Sequence, residues 1–341
     1  MNTPVFPVAD TLGPSPSLLS HPRFNIPWPS ACAPEPAQIE NTMLDWAQSH
    51  GLFLNEEHRR RTARAHFAWL AARCYPRADR RLLQVIANYI ACFFLIDDLF
   101  VDRVDSVSAP TVSRLAAMLD VMDFNCLGEQ PVYGETAWLD VCQHLRQLLP
   151  AEHFERFANG MRLWATVAGL QILSHLNDRP PGMQTYTTIR RYMGGVYPTL
   201  DLIDPANAAP LPASTLCRPE VQQLRLHVNN ITCWSNDTHS VEVEMKQPGH
   251  FWNMVTVHAA QGGSLQDALD HAAARIDREI EQFLALAAAT EYNADHLLRT
   301  YIAGLKDWLR GYFDWLEHDT QRYATQFAEL DADDRAFTAT A

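Results

Sequence analysis

Apolar residues recur at steps of three and four along most of the chain, and no stretch alternates apolar with polar as a half-buried strand would. This periodicity predicts helices over roughly 37–49, 56–74, 79–101, 111–122, 136–148, 151–176 and 184–195. It predicts further helices over roughly 219–247, 251–261, 264–289 and 294–329. Two breaks stand out. Gly194-Gly195 with Pro198 interrupts a helical stretch, and Pro205, Pro210, Pro212 and Pro219 make a loop of 205–219. Nine of the 21 prolines fall in residues 1–36, which predicts an extended arm there. The expected fold class is therefore all-α and single-domain: an arm over 1–36, a helical domain over 37–329 and a tail over 330–341.

Composition narrows what such a domain can do. At 47 % hydrophobic residues the chain can bury a sizeable core, which excludes global disorder. Against 27 Lys+Arg stand 40 Asp+Glu, a net charge of −13, so a nucleic-acid partner and a polybasic membrane anchor are not expected. Lys246 and Lys306 are the sole lysines, so an anion site must be built from arginine forks, although genome base composition produces the same bias. The seven cysteines contain no CxxC pair and read as reduced thiols in a cytoplasmic protein, with neither a disulfide frame nor a zinc site. The N-terminus lacks the signal-peptide pattern. The longest apolar run, Val85 to Ile96, is 12 residues and is interrupted by Asn88, whereas a spanning helix needs about 20. The motifs GxGxxG, GxxxxGK[ST], GxSxG, HExxH and ExxH do not occur.

Two oxygen-rich stripes carry the chemistry. Ten apolar-leaning residues run into Asp97-Asp98, with Asp102 following; on a helix Asp98 and Asp102 share a face and Asp97 lies about 100° away. Phe93 and Phe94 stand one turn before the two acids, an aromatic floor beneath a carboxylate rim. Asn236, Ser240 and Glu244 recur at i, i+4 and i+8, which puts an amide, a hydroxyl and a carboxylate on one stripe. Hard divalent cations choose such oxygens. Each stripe alone also reads as a solvated helix face, and the pair together favours metal.

Four elements in order make the chain resemble a class I terpene synthase of the bacterial type over roughly residues 25–325. Asp97-Asp98-Leu-Phe-Val-Asp102 resembles the family's aspartate-rich motif, and Asn236 through Ser240 to Glu244 its second metal motif. Arg190 lies 46 positions before Asn236, the family's spacing for its diphosphate-sensing arginine, and Arg322-Tyr323 resembles its terminal Arg-Tyr pair. Gly194, four after Arg190, matches the position where a helix break exposes a carbonyl. The stretch after Asn253, Gly263 to Asp270, is also similar. The departure is Val243, where the family often has a base before the triad glutamate; Lys246 lies roughly 200° around the helix from Glu244 and does not replace it.

The resemblance implies a helical bundle around a central cavity and a small prenyl diphosphate as partner. It implies three Mg²⁺ ions, with Mn²⁺ as the alternative, held by Asp97, Asp98, Asp102, Asn236, Ser240 and Glu244. Arg190, Arg322 and Tyr323 would grip the diphosphate, and Gly194 would act at the break. Phe93, Phe94, Trp308 and Trp315 would face the carbocation; Trp308, Tyr312, Trp315, Asp319 and Arg322 would share one helix face, which an ordinary core stripe would also produce. The arm, with Trp28 between two prolines, would fold over the mouth. The expected activity is ionisation of farnesyl diphosphate and cyclisation to a terpene hydrocarbon or alcohol, with geranylgeranyl or geranyl diphosphate second. A chain-elongating prenyl diphosphate synthase of the same fold is the nearest alternative, and a non-catalytic helical binding protein the alternative of another class. As an assembly, a monomer or a homodimer is expected.

Overall fold

The computed structural model describes residues 19–100, 109–175, 179–246 and 252–324. Among these residues there are helices and no strands. In chain order they are α1 (Pro36–Ser49), α2 (Glu56–Ala65), α3 (Phe67–Cys74), α4 (Arg80–Phe100), α5 (Ala109–Phe124), α6 (Glu135–Leu148), α7 (Ala151–His175) and α8 (Met183–Met193). There follow the short α9 (Val196–Leu200), α10 (Ile203–Ala206) and α11 (Ala213–Leu216). The long α12 (Pro219–Glu244), α13 (Met254–Ala259), α14 (Leu265–Tyr292) and α15 (His296–Asp314) complete the set, and a π turn over Trp315–Asp319 ends it. The all-α expectation holds.

The axis of the molecule is α4, which packs against α1, α3 and α6. Over Arg80–Leu99 it is long and apolar enough to cross a membrane by composition alone, but most of it is buried inside the protein, as a core helix should be. Opposite it, α12 runs along α14 and also touches α8, α9 and α15. Local chemistry fixes the starts of these helices. Pro219 occupies the first turn of α12, where its missing N–H costs nothing. Asn253 and Ser264 each form a capping box, with Thr256 and Asp267, at the starts of α13 and α14.

Three expectations are corrected. The helix foreseen over 56–74 is two, because His66 turns left-handed (φ 53°) between α2 and α3. The N–H of Ala68 that the break exposes is bonded at 2.8 Å by the carboxylate of Glu40, reaching across from α1. The helix foreseen over 294–329 stops at Asp314; the π turn and the extended Thr320 divert the chain, and Arg73 holds Asp319 through two hydrogen bonds. Trp308 and Arg322 therefore do not lie on one continuous helix face. In the described part of the arm, Trp28 packs edge-on against Phe283 of α14 and His21 bonds the Thr238 carbonyl of α12; neither residue is among those lining the cavity. Residues 1–18 and the proposed tail over 330–341 lie outside the described residues.

The proline-rich segment between α9 and α12 is a loop with two short helical turns, and buried charges pin it. Asp204 accepts hydrogen bonds from His153 at 3.0 Å, from the Leu211 N–H at 2.7 Å and from Arg156. Asp201 and the Tyr301 hydroxyl both accept from Arg225, at 2.7 Å each. Charges this deep are tolerated because each meets an opposite partner.

Candidate active site

One cavity receives residues from α2, α3, α4, the α8–α9 break, α12, α15 and the terminal turn. Its inner walls are apolar and aromatic, with Leu70, Tyr75, Tyr89, Ile90, Phe93, Trp308 and Tyr312 among them. Its mouth is polar. From α4 come Asp97 and Asp98, and from α12, on the other wall, come Asn236, Ser240 and Glu244. Arg190, Arg322 and Tyr323 line the same mouth, as do Gly194 and Gly195. Two residues separate from this set. Asp102 lies outside the described residues. Trp315 does not reach the cavity: it is wholly buried, and its indole N–H bonds the carbonyls of Ala65 and His66 at 2.9 and 3.0 Å, at the break between α2 and α3.

The polar groups of the mouth hold one another. Both Asp98 oxygens accept from the Arg322 guanidinium, one at 2.7 Å. That guanidinium also sits 4.8 Å over the Phe94 ring. Asn236 accepts from Arg190 at 2.6 Å and donates to the Tyr323 hydroxyl at 2.7 Å. Ser240 donates to the Asn236 carbonyl at 2.8 Å, and Glu244 accepts from the Asn253 amide at 2.6 Å. Arginine and metal-type ligand are thus already neighbours on both walls.

Behind them lies a residue that the stripe argument passes over. Asp237 is buried on the other side of α12, where one oxygen accepts from Arg190 Nε at 2.9 Å. The other accepts from the Tyr186 hydroxyl and from the Met254 N–H at 3.1 Å. It therefore aims Arg190 at the mouth. The sequence signal that bears on it is its place next to Asn236, whose spacing from Arg190 brings that arginine to this turn of α12; a buried acid there requires a cation.

The glycine pair has a steric reason. A Cβ on Gly194 would collide with Cys233 Sγ of α12, and one on Gly195, whose φ is +62°, would enter the Phe93 ring of α4. Cys233 and Phe93 stand one turn before Asn236 and Asp97. The break is therefore wedged between the two ligand-bearing helices, one turn beneath their ligands.

The donor set suits a hard divalent cation. It contains oxygens alone, and burial, reinforced by Asp237, pushes the Glu244 carboxyl up to about 8 against hydrogen bonds from Ser240 and Asn253. A cation beside Glu244 would relieve that cost. Among the described residues no three His, Cys, Asp or Glu side chains converge on a point. The set would therefore need phosphate oxygens to complete its coordination, the usual manner of Mg²⁺.

The comparisons with known proteins agree with this geometry. Residues 88–282, which include Asp97 and Asp98 of α4 and all of α12, match the model of terpene synthase family 2, C-terminal metal binding. A sesquiterpene synthase of Metarhizium brunneum is 54 % identical over 324 residues, 95 % of each chain. A (+)-corvol ether B/(+)-corvol ether A synthase of Kitasatospora setae, described as (2E,6E)-farnesyl diphosphate cyclizing, is 50 % identical over 92 % of this chain and 98 % of its own. The crystal structure of linalool/nerolidol synthase from Streptomyces clavuligerus has the same fold, with TM-score 0.77 at 20 % identity over 86 % of this chain and 99 % of that one. With half the residues shared along nearly the full length, the likeness of four short motifs becomes membership: the chain belongs to the class I terpene synthase family and is a terpene synthase of its cyclase type.

Proposed function

We propose that this cyclase acts on farnesyl diphosphate in the presence of Mg²⁺ and closes the resulting carbocation to a sesquiterpene hydrocarbon or alcohol. The observation that carries the reading is the junction of an oxygen- and guanidinium-rich mouth with an aromatic-walled apolar well in one cavity. The fifteen-carbon substrate follows from the relatives named for sesquiterpenes and for farnesyl diphosphate. Asp97, Asp98, Asn236, Ser240 and Glu244 would hold the metal, three ions by the family resemblance, with Mn²⁺ as a substitute. Bound metal would supply the positive charge that stabilises the departing diphosphate.

The chain's own groups do the rest. Arg190, steadied by Asp237, and the Arg322–Tyr323 pair donate hydrogen bonds to diphosphate oxygens where charge builds up on ionisation. Phe93, Phe94 and Trp308 offer ring faces to the cation. Among the oxygens of the well, Tyr75 donates to the Thr199 carbonyl at 2.7 Å and accepts from Trp308 at 3.3 Å, and Thr232 donates to the Val228 carbonyl at 2.8 Å, while the buried Tyr312 hydroxyl has no hydrogen-bond partner among the described residues. The Tyr75 lone pair that accepts from Trp308 is a poorer nucleophile toward a passing cation. Gly194 holds the break against α12, so that movement of Arg190 is felt inside the well. All seven cysteines are unpaired, which suits work in a reducing compartment such as the cytoplasm.

The test is incubation with C10, C15 and C20 prenyl diphosphates and Mg²⁺, followed by gas chromatography of the extracted products. A cyclic C15 product that disappears with chelator is expected. No product from any substrate, or turnover that survives chelation, would refute the reading. A longer diphosphate formed on adding isopentenyl diphosphate would favour chain elongation instead.

A further inference from the structure

Beyond the residues named so far, the mouth contains a guanidinium that no motif points to. Arg61 of α2 lines the cavity alongside Asp97, Asp98 and Arg322, and it is 8 % exposed. It belongs to a basic run, Arg59-Arg60-Arg61 with Arg64, whose members have different fates. Arg60 is exposed and pairs with Glu56 and Glu57 on its own helix, and Arg64 is exposed. Arg61 faces inward with His58, Thr62 and Ala65. A guanidinium buried in a cavity wall costs solvation energy unless anions face it.

Its position is fixed from behind. The Arg64 carbonyl accepts from the Gln321 N–H at 3.0 Å, and the Ala65 carbonyl from the Trp315 indole at 2.9 Å. The last turn of α2 is thereby fastened to the segment that carries Arg322 and Tyr323. On the far wall α12 presents Val243 beside Glu244, not a base. The two arginines already assigned are engaged by acids, Arg190 with Asp237 and Arg322 with Asp98.

We infer that Arg61 is a third diphosphate-binding arginine, contributed from the α2 wall and supplying the positive charge that Val243 does not. This rests on the reading of the cavity as a prenyl diphosphate site. The arrangement clasps the anion between Arg190 on one side and Arg61 with Arg322 on the other.

The experiment measures calorimetric binding of inorganic diphosphate, with Mg²⁺ present, to the full chain and to Arg61→Ala, Arg61→Lys and the double variant Arg61→Ala/Val243→Arg. Thermal unfolding and KM and kcat for the C15 substrate are recorded alongside. Loss of a charged hydrogen bond should weaken inorganic diphosphate binding by about ten- to a hundredfold in Arg61→Ala. KM should rise with it, Arg61→Lys should fall between, and the double variant should regain part of the loss. Binding within twofold of wild type in Arg61→Ala overturns the inference. So does a loss in Arg61→Ala that tracks a lowered unfolding temperature, with Arg61→Lys binding as weakly as alanine and no recovery in the double variant. Because binding is read without turnover, a wild-type protein that binds inorganic diphosphate through Arg61 yet converts no prenyl substrate would sink the proposed function and leave this inference standing.

Discussion

Replacing Glu40 by glutamine should change how stability depends on pH. Glu40 is almost wholly buried; one carboxylate oxygen takes the Ala68 N–H at the start of α3, and the other has no hydrogen-bond partner. Burial pushes its carboxyl from the ordinary 4.5 up to about 7, against the pull of the backbone N–H groups of Ala68 and Trp69. The folded protein therefore holds this proton more tightly than the unfolded chain. Between pH 4.5 and 7 the folded state binds more protons, so stability falls as pH rises through that window and is level above it. At 1.36 kcal/mol per pH unit the whole fall is about 3 kcal/mol. Glutamine has no such titration. Its amide nitrogen meets the partnerless position and adds a penalty, but that penalty is the same at every pH.

The measurement is urea unfolding of wild type and Glu40→Gln at half-unit steps from pH 4.5 to 8.5, with m-values checked for constancy. Subtracting the two curves removes every other titrating group. The difference should move by about 3 kcal/mol in favour of glutamine between the ends of the window. A difference that stays flat to within 0.5 kcal/mol or so, about the scatter of such extrapolations, or one that moves in favour of glutamate, would refute the claim that burial outweighs the helix N-terminus here.

Three further outcomes are expected. Asp237→Asn leaves Arg190 without its buried counter-charge, and should cost about 3–5 kcal/mol of stability or a comparable loss in kcat/KM; steady-state kinetics with denaturant unfolding checks it, and wild-type values in both would remove Asp237 from the site. Gly194→Ala should cut turnover sharply because its Cβ meets Cys233 Sγ, while Gly194→Ala/Cys233→Ala should recover, since the remaining Cβ of residue 233 is 3.6 Å away; a double variant as poor as the single would mean that packing is not the reason for glycine. Asp204→Ala removes the buried acid that His153 and the Leu211 N–H share, leaving Arg156 with Asp201 alone, and should lower stability by about 3–5 kcal/mol, with KM for the surviving folded fraction unchanged; a raised KM would show that the network shapes the site.

What the sequence made legible and what it hid divide along one line. Asn236, Ser240 and Glu244 were readable because all three lie within the unbroken α12, where steps of four fix a shared face. Asp97 and Asp98 are readable because they end the apolar run of the unbroken α4, one turn after Phe93 and Phe94. The reading failed where the helix it assumed did not continue. Asp319 and Arg322 do not continue the face of Trp308, because the π turn beginning at Trp315 resets the rotation beyond it, and the Trp315 indole bonds the Ala65 carbonyl at a break 250 residues earlier. That break, at His66, has no glycine or proline to announce it; its exposed N–H is capped by Glu40 from another helix, a contact that periodicity cannot encode.

Asp237 shows the limit most sharply. The stripe rule that selects Asn236 does not select its neighbour, which lies about 100° around the axis. That neighbour bonds Tyr186 and Arg190 of α8, and holds Arg190 in position to reach Asn236. Spacing along one helix finds the groups that point into a cavity together. The groups that aim them lie off the stripe by necessity, because they must reach toward the next helix, and they become visible through the cost of burying a charge.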